Sequence, residues 1–137
     1  MNNDRRFIRG TLKVAKKKDA QIGVYQRKWR MWKVWLKIRH IRRINNEIIE
    51  AIKKDPERFA KADKFFSLYL DATLNILEKY SILTHQPVRS GKLNESLKMT
   101  EMMLVDVTKG LEQQLAAVLA EDLIDLEVEQ EILQQNK

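Results

Sequence analysis

Residues 55–87, DPERFAKADKFFSLYLDATLNILEKYSILTHQP, constrain the fold more than any other stretch of this chain. Asp55 can cap a helix N-terminus, and Glu57 meets the positive end of the helix dipole. Pro56 suits the first helical position, where its missing N–H would have no partner anyway. Phe59, Ala62, Phe66, Tyr69, Thr73, Leu77 and Tyr80 then recur every three or four residues, and Phe65, Leu70, Leu74 and Ile76 widen the stripe. A face so broad and aromatic is hydrophobic enough to take helices on more than one side. The rest of the chain is expected to pack around it.

Length and composition narrow the possibilities further. A chain of 137 residues fits one domain with a real core. Four Gly and two Pro give few breaks, so all-helical architecture is the expectation. The absence of cysteine excludes a disulfide framework, a thiolate nucleophile and a Cys-based zinc site, and fits a reducing cytoplasm. No apolar run approaches the ~18 residues of a spanning helix. The charged N-terminus also lacks the apolar segment of a signal peptide. The expected location is cytoplasmic, with peripheral attachment to the inner face of the membrane as its variant.

In chain order, residues 1–21 carry a weak helical pattern (Phe7, Ile8, Leu12, Ala15) interrupted by Gly10 and by Lys16–Lys18. They are expected to form a basic arm, helical only when docked, ahead of a single helical-bundle domain at 22–137. One helix from about Ile22 to Lys54, roughly 50 Å long, should follow. It has two apolar stripes: Ile22, Tyr25, Trp29, Trp32 and Leu36, and then Val34, Ile38, Ile41, Ile48 and Ile52. At ~100° per residue these lie more than a quarter turn apart, and the aliphatic second stripe is the better bundle face. The aromatic helix should end at Thr84-His85-Gln86-Pro87. A third helix from Lys92 to about Ala120 carries Leu93, Leu97, Thr100, Leu104, Val107, Leu111, Leu115 and Val118 at nearly heptad spacing. A short final helix begins at Asp122 or Asp125. The expected fold is an antiparallel three-helix bundle of long helices with a basic N-terminal arm and a short C-terminal helix. Short connections place the third helix parallel to the first. The acidic run Glu121–Glu131 then falls beside Lys53, Lys54, Arg58 and Lys61.

The net charge of +7 hides a division. Residues 1–44 hold fifteen Lys/Arg against two acids, a balance of +13, and the remainder balances at −6. That asymmetry points to a basic surface with an anionic partner. The segment Arg27-Lys28-Trp29-Arg30-Met31-Trp32-Lys33-Val34-Trp35-Leu36-Lys37, continued by Arg39, interleaves three indoles with cations. Trp favours a lipid interface, and Lys/Arg stems cover its ring while their charges meet phosphates. The same composition can contact an acidic protein or stack on nucleobases, although no nucleic-acid-binding motif accompanies it. It also fits buried indoles beneath solvated charges. A homodimer could cover the second stripe of the long helix as readily as a membrane or the arm.

No catalytic constellation emerges. His40 and His85 are the only histidines, with no metal-ligand spacing around either, and both are expected at the surface or at a helix end. No cofactor motif is present, and no phosphate-binding glycine run or nucleophile elbow. The hydroxyls of Tyr69, Thr73 and Tyr80 are expected to bond backbone carbonyls or a neighbouring helix.

The segment KFFSLYLDATLNILEKYSIL, followed by Gln86-Pro87-Val88, resembles the signature of the XpaC family, whose usual form reads FF-x-YYLPTT-x-x-LLEKY. The resemblance rests on Phe65, Phe66, Tyr69, Leu70, Thr73, Leu77 and Tyr80, which are expected to be structural. It continues through Leu93, Leu97, Leu104 and Leu111 to the ED-x-x-D-L run at Glu121, so it covers Ile38 to the C-terminus. Leu68 stands where the family usually has Tyr, and Asp71 where it usually has Pro. Without that proline the helix should run straighter. The family is named for bromo-chloro-indolyl phosphate hydrolysis. The resemblance also implies association with toxic-anion (tellurite) resistance proteins of the TelA type and a membrane-linked stress role in bacteria. The reading that follows is a non-enzymatic scaffold that binds an anionic membrane surface or an acidic protein through its Trp-rich end. Phosphate-ester hydrolysis is its first alternative and nucleic-acid binding its second.

Overall fold

The computed structural model describes the backbone of residues 2–28 and 32–136 and the side chains of residues 4–26 and 34–136. Its α-helices are α1 (Asn2–Lys28), α2 (Trp32–Lys54), α3 (Leu70–Thr84), α4 (Gly91–Val118) and α5 (Ala120–Gln135). A 3-10 helix, Pro56–Ala62, and a π-helical turn, Phe65–Tyr69, lead into α3. No strand occurs among the described residues, and the chain is all-α.

The N-terminal segment differs from expectation. In place of an arm, α1 runs without a break through residue 21, and Leu12, Ala15 and Ile22 are buried, with Ile8 partly so. These positions follow heptad spacing, the mark of a helix–helix seam. The missing seam position is Asp19, only 4% exposed. Its carboxylate accepts hydrogen bonds from Arg42 Nε at 3.3 Å and from Asn45 Nδ2 at 3.1 Å, both on α2. A carboxylate can sit in a seam only when so partnered. The pattern therefore closes only once α2 lies alongside.

The single helix expected over 22–54 is likewise two helices. Arg42 also reaches Gln26 at 3.4 Å, and its guanidinium lies over Gly23, so α1, ending at Lys28, and α2, beginning at Trp32, run antiparallel. The stripe Ile22, Tyr25, Trp29, Trp32, Leu36 is thus divided between two helices. The aliphatic stripe is the core face as expected, with Val34, Ile38, Ile41, Ile48 and Ile52 at most 1% exposed.

Four helical rods pack in a ring, where three had been expected: α1 against α2 and α3, and α4 against α2 and α3. Lys18 of α1 pairs with Asp71 of α3 at 2.9 Å, and the Phe7 and Phe59 rings meet at 5.9 Å, so α1 and α3 are parallel. His40 of α2 meets Glu112 of the parallel α4. The α1–α2 and α3–α4 reversals share one end of the bundle. At the other end Arg58 holds Asp122 through 3.0 and 3.1 Å hydrogen bonds, and Lys61 reaches Glu121 at 3.4 Å. Of the acidic run expected beside this basic end, Glu121 and Asp122 meet it, through Lys61 and Arg58.

The aromatic segment is less regular than its periodicity implied. Asp55 caps as anticipated, accepting the Glu57 N–H at 3.2 Å. The chain then tightens into the 3-10 helix before widening at the π turn, where the Leu70 N–H donates to the Phe65 carbonyl, five residues back. Phe65 and Leu70 consequently both face the core. Phe65 takes the place expected for Phe66, which is half-buried and packs on Phe59 with ring centroids 4.9 Å apart. The absence of the family's usual proline at 71 therefore does not give a regular helix.

Candidate functional site

Of the residues expected at the Trp-rich site, Trp29 and Arg30 lie outside the described residues, as do the side chains of Arg27, Lys28, Trp32 and Lys33. The described remainder sits at the first turns of α2. Trp35 is half-buried, and the Arg39 guanidinium lies over its ring at 5.5 Å, within cation–π range. Lys37 is half-buried, its stem available to cover apolar surface.

The fold brings other elements to this end. Ile82 on the last turn of α3, Val88 in the α3–α4 connection, and Met99 and Met102 on α4 are exposed large apolar side chains. Arg89, Lys92 and Lys98 are exposed among them, with Glu95 and Glu101 the acids on the same turns of α4. An exposed apolar set rimmed by cations marks a surface that contacts something else. Sequence reading missed this contribution because these residues are scattered over two helices and a turn.

A second basic locus lies at the opposite end and was not anticipated. Arg5, Arg9, Lys13 and Lys16 recur every three or four residues on α1, and with Lys53 they surround a groove of about 590 Å³. Ile8, Leu12, Ile52 and Pro56 supply its apolar lining, and no carboxylate is among the described residues that line it. Contact with Lys53 holds Lys16 below the usual lysine range, mainly through the hydrogen bond between the two amines and then their repulsion. The i, i+4, i+8, i+11 spacing of the α1 cations was the available signal.

The signature residues do structural work. Phe65, Leu70, Thr73, Leu77 and Tyr80 are buried, Phe66 is half-buried, and Tyr69 is half-buried against Gly110 of α4. Gln114 of α4 accepts the Phe65 N–H at 3.0 Å and so steadies the entry to the π turn. Thr73 Oγ1 donates to the Tyr69 carbonyl at 2.7 Å, and the Tyr80 hydroxyl to Glu101 at 3.3 Å. Burial first, then the Glu101 charge and hydrogen bond, push the Tyr80 phenol up from its ordinary value. His40 meets Glu112 at 3.2 Å on the surface, and His85 lies 2.6 Å from the Ser81 carbonyl at the end of α3. Among the described residues no three His, Cys, Asp or Glu side chains converge as a metal site would require, and no helix is long and apolar enough to cross a membrane.

Protein XpaC of Bacillus subtilis (strain 168) is 36% identical over 87 residues, which is 64% of this chain and 43% of that protein. The matched stretch thus spans less than half of the curated relative's length. No solved structure matches. The family model described as 5-bromo-4-chloroindolyl phosphate hydrolysis protein extends from residue 1 to residue 133, taking in the basic α1 as well as the aromatic signature. On that match the chain belongs to the XpaC family.

Proposed function

We propose that this protein is a non-enzymatic helical scaffold that docks on an anionic membrane surface through the end of the bundle where the Trp-rich stretch reverses. The carrying observation is the exposure of Ile82, Val88, Met99 and Met102 among Arg89, Lys92 and Lys98 at that same end. Interfacial binding combines buried apolar area with attraction of cations to anionic lipid, about 1 kcal/mol per Lys or Arg near the surface. Arg39 over Trp35 adds an amphipathic pair of the kind that seats at headgroup depth. The link to toxic-anion (tellurite) resistance and to a TelA-type partner rests on family resemblance alone.

Flotation with vesicles tests the reading. Vesicles rich in phosphatidylglycerol should carry the protein upward, and neutral phosphatidylcholine vesicles should not. Replacing Lys37, Arg39 and Arg89 with Gln should weaken anionic binding by roughly fivefold per residue. Equal binding to both vesicle types, or none to either, overturns it, and the second result directs attention to an acidic protein partner.

The family's printed description favours one other reading, phosphate-ester hydrolysis. That chemistry needs an activated nucleophile or a bound metal. Purified protein incubated with 5-bromo-4-chloroindolyl phosphate, with and without divalent cations, decides between them. Turnover abolished by one side-chain replacement would establish the enzyme.

A further inference from the structure

α5 is a helix with nothing to rest on. None of its residues is buried, and six acids (Glu121, Asp122, Asp125, Glu127, Glu129, Glu131) stand on it with no cation. Leu123, Leu126 and Leu133 continue the heptad spacing of the core-packed Leu119, with Gln130 at the intervening position and Ile124, Val128 and Ile132 exposed beside them, and no helix of the chain faces them. Leu123, Leu126 and Leu133 are all more than half exposed. A helix of sixteen residues is marginal in water unless an apolar face is packed. Only Asp122 and Glu121 are engaged, by Arg58 and Lys61, and these bonds fix the first turn while the rest extends from the bundle.

The α1–α2 groove is the complement of that helix. Its cationic ridge, Arg5, Arg9, Lys13 and Lys16, extends ~16 Å along α1, and α5 is ~24 Å long. The apolar lining of Ile8, Leu12, Ile52 and Pro56 suits a leucine seam, and the five surrounding cations face the four acids that α5 leaves unpaired. Two α5 helices cannot pair with each other, since like charges would oppose along their full length. A chain's own α5 is also poorly placed: α4, from which it springs, neighbours α2 and α3 rather than α1, and the Arg58–Asp122 and Lys61–Glu121 bonds would have to break.

We propose that α5 of one copy seats in the α1–α2 groove of a second copy, and reciprocally, giving a two-fold dimer. Such an exchange is self-complementary and closed. It uses the end of the bundle opposite the Trp-rich turn, so it stands apart from membrane docking. Light scattering and sedimentation of the full chain at low salt should give a dimer that dissociates as salt rises. Reversing α5 (Glu127→Lys, Glu129→Lys, Glu131→Lys) and, in a second variant, the groove (Arg5→Glu, Arg9→Glu, Lys13→Glu) should each weaken self-association by roughly tenfold or more. All six positions are exposed, so the bundle core is untouched. Mixing the two variants should restore the dimer, because each then offers the other an opposite charge at both contacts. A monomeric wild-type chain at low salt, a dimer indifferent to both reversals, or a mixture that stays monomeric overturns the proposal.

Discussion

The ring of Tyr69, the last residue of the π turn, lies on Gly110 of α4, and the contact leaves no room for a β-carbon at 110. Alanine in place of glycine favours a helix by about 1 kcal/mol, whereas overpacking costs about 1–3 kcal/mol. Gly110→Ala should therefore lower stability in urea denaturation, and in a Tyr69→Ala background the same change should raise it. Gly23 forms a contrast, since a β-carbon there meets only the guanidinium of Arg42, the tip of a flexible chain. Tyr80 gives a pH signature. In the unfolded chain a phenol ionises near pH ~10, while in the fold Tyr80 holds its proton to higher pH. The unfolded state thus binds fewer protons above that pH, and stability falls as pH rises from the ordinary value through the folded one. Tyr80→Phe should flatten this alkaline limb of a stability–pH curve. Sequence alone foretold that the Thr73 and Tyr80 hydroxyls would be satisfied within the fold. It could not name Glu101 as the partner of Tyr80, because that residue lies twenty-one positions away and only packing selects it.

At the scale of elements, the instructive failures are α1 and the π turn. The α1 seam reads Ile8, Leu12, Ala15, then Asp19, then Ile22, and Gly10 and Lys16–Lys18 beside it made the stretch look like an arm. Arg42 and Asn45 repair it from another helix, which a local pattern cannot convey. The π turn is invisible for a different reason. Phe65 and Phe66 are adjacent and equally apolar, so periodicity cannot tell which one enters the core. Where cues were local, as in the Asp55–Pro56 cap and the isoleucine face of α2, expectation and structure agree. The irregular backbone also bears on position 71, where related sequences usually carry proline. Proline inside a regular helix costs about 3 kcal/mol. Asp71 follows directly on the widened turn, where helical hydrogen bonding is already shifted by one residue. Asp71→Pro should therefore cost clearly less than that figure in a denaturation titration, even with the Lys18 ion pair lost.

Over the whole molecule, charge is distributed along the bundle axis. The Trp-rich reversal and its neighbouring cations occupy one end, and the acidic α5 leaves from the other, where the groove cations lie. The sequence disclosed the two charge populations but not the second basic locus, since α1 had to become a helix before its cations formed one ridge. Salt should act on both ends through the same screening. Vesicle binding should respond to Lys37, Arg39 and Arg89 and remain insensitive to reversal of α5, and dimerisation should behave the opposite way.

The up-and-down path also fixes where attachments would emerge. Asn2 opens α1 beside the α2–α3 junction, and α5 departs from that same pole. A fluorescent reporter, an affinity handle or a surface linker genetically joined to either terminus would therefore hang on one side. The opposite pole, where Trp35 and Arg39 open α2, would face away from the attachment, toward whatever the immobilised protein is offered.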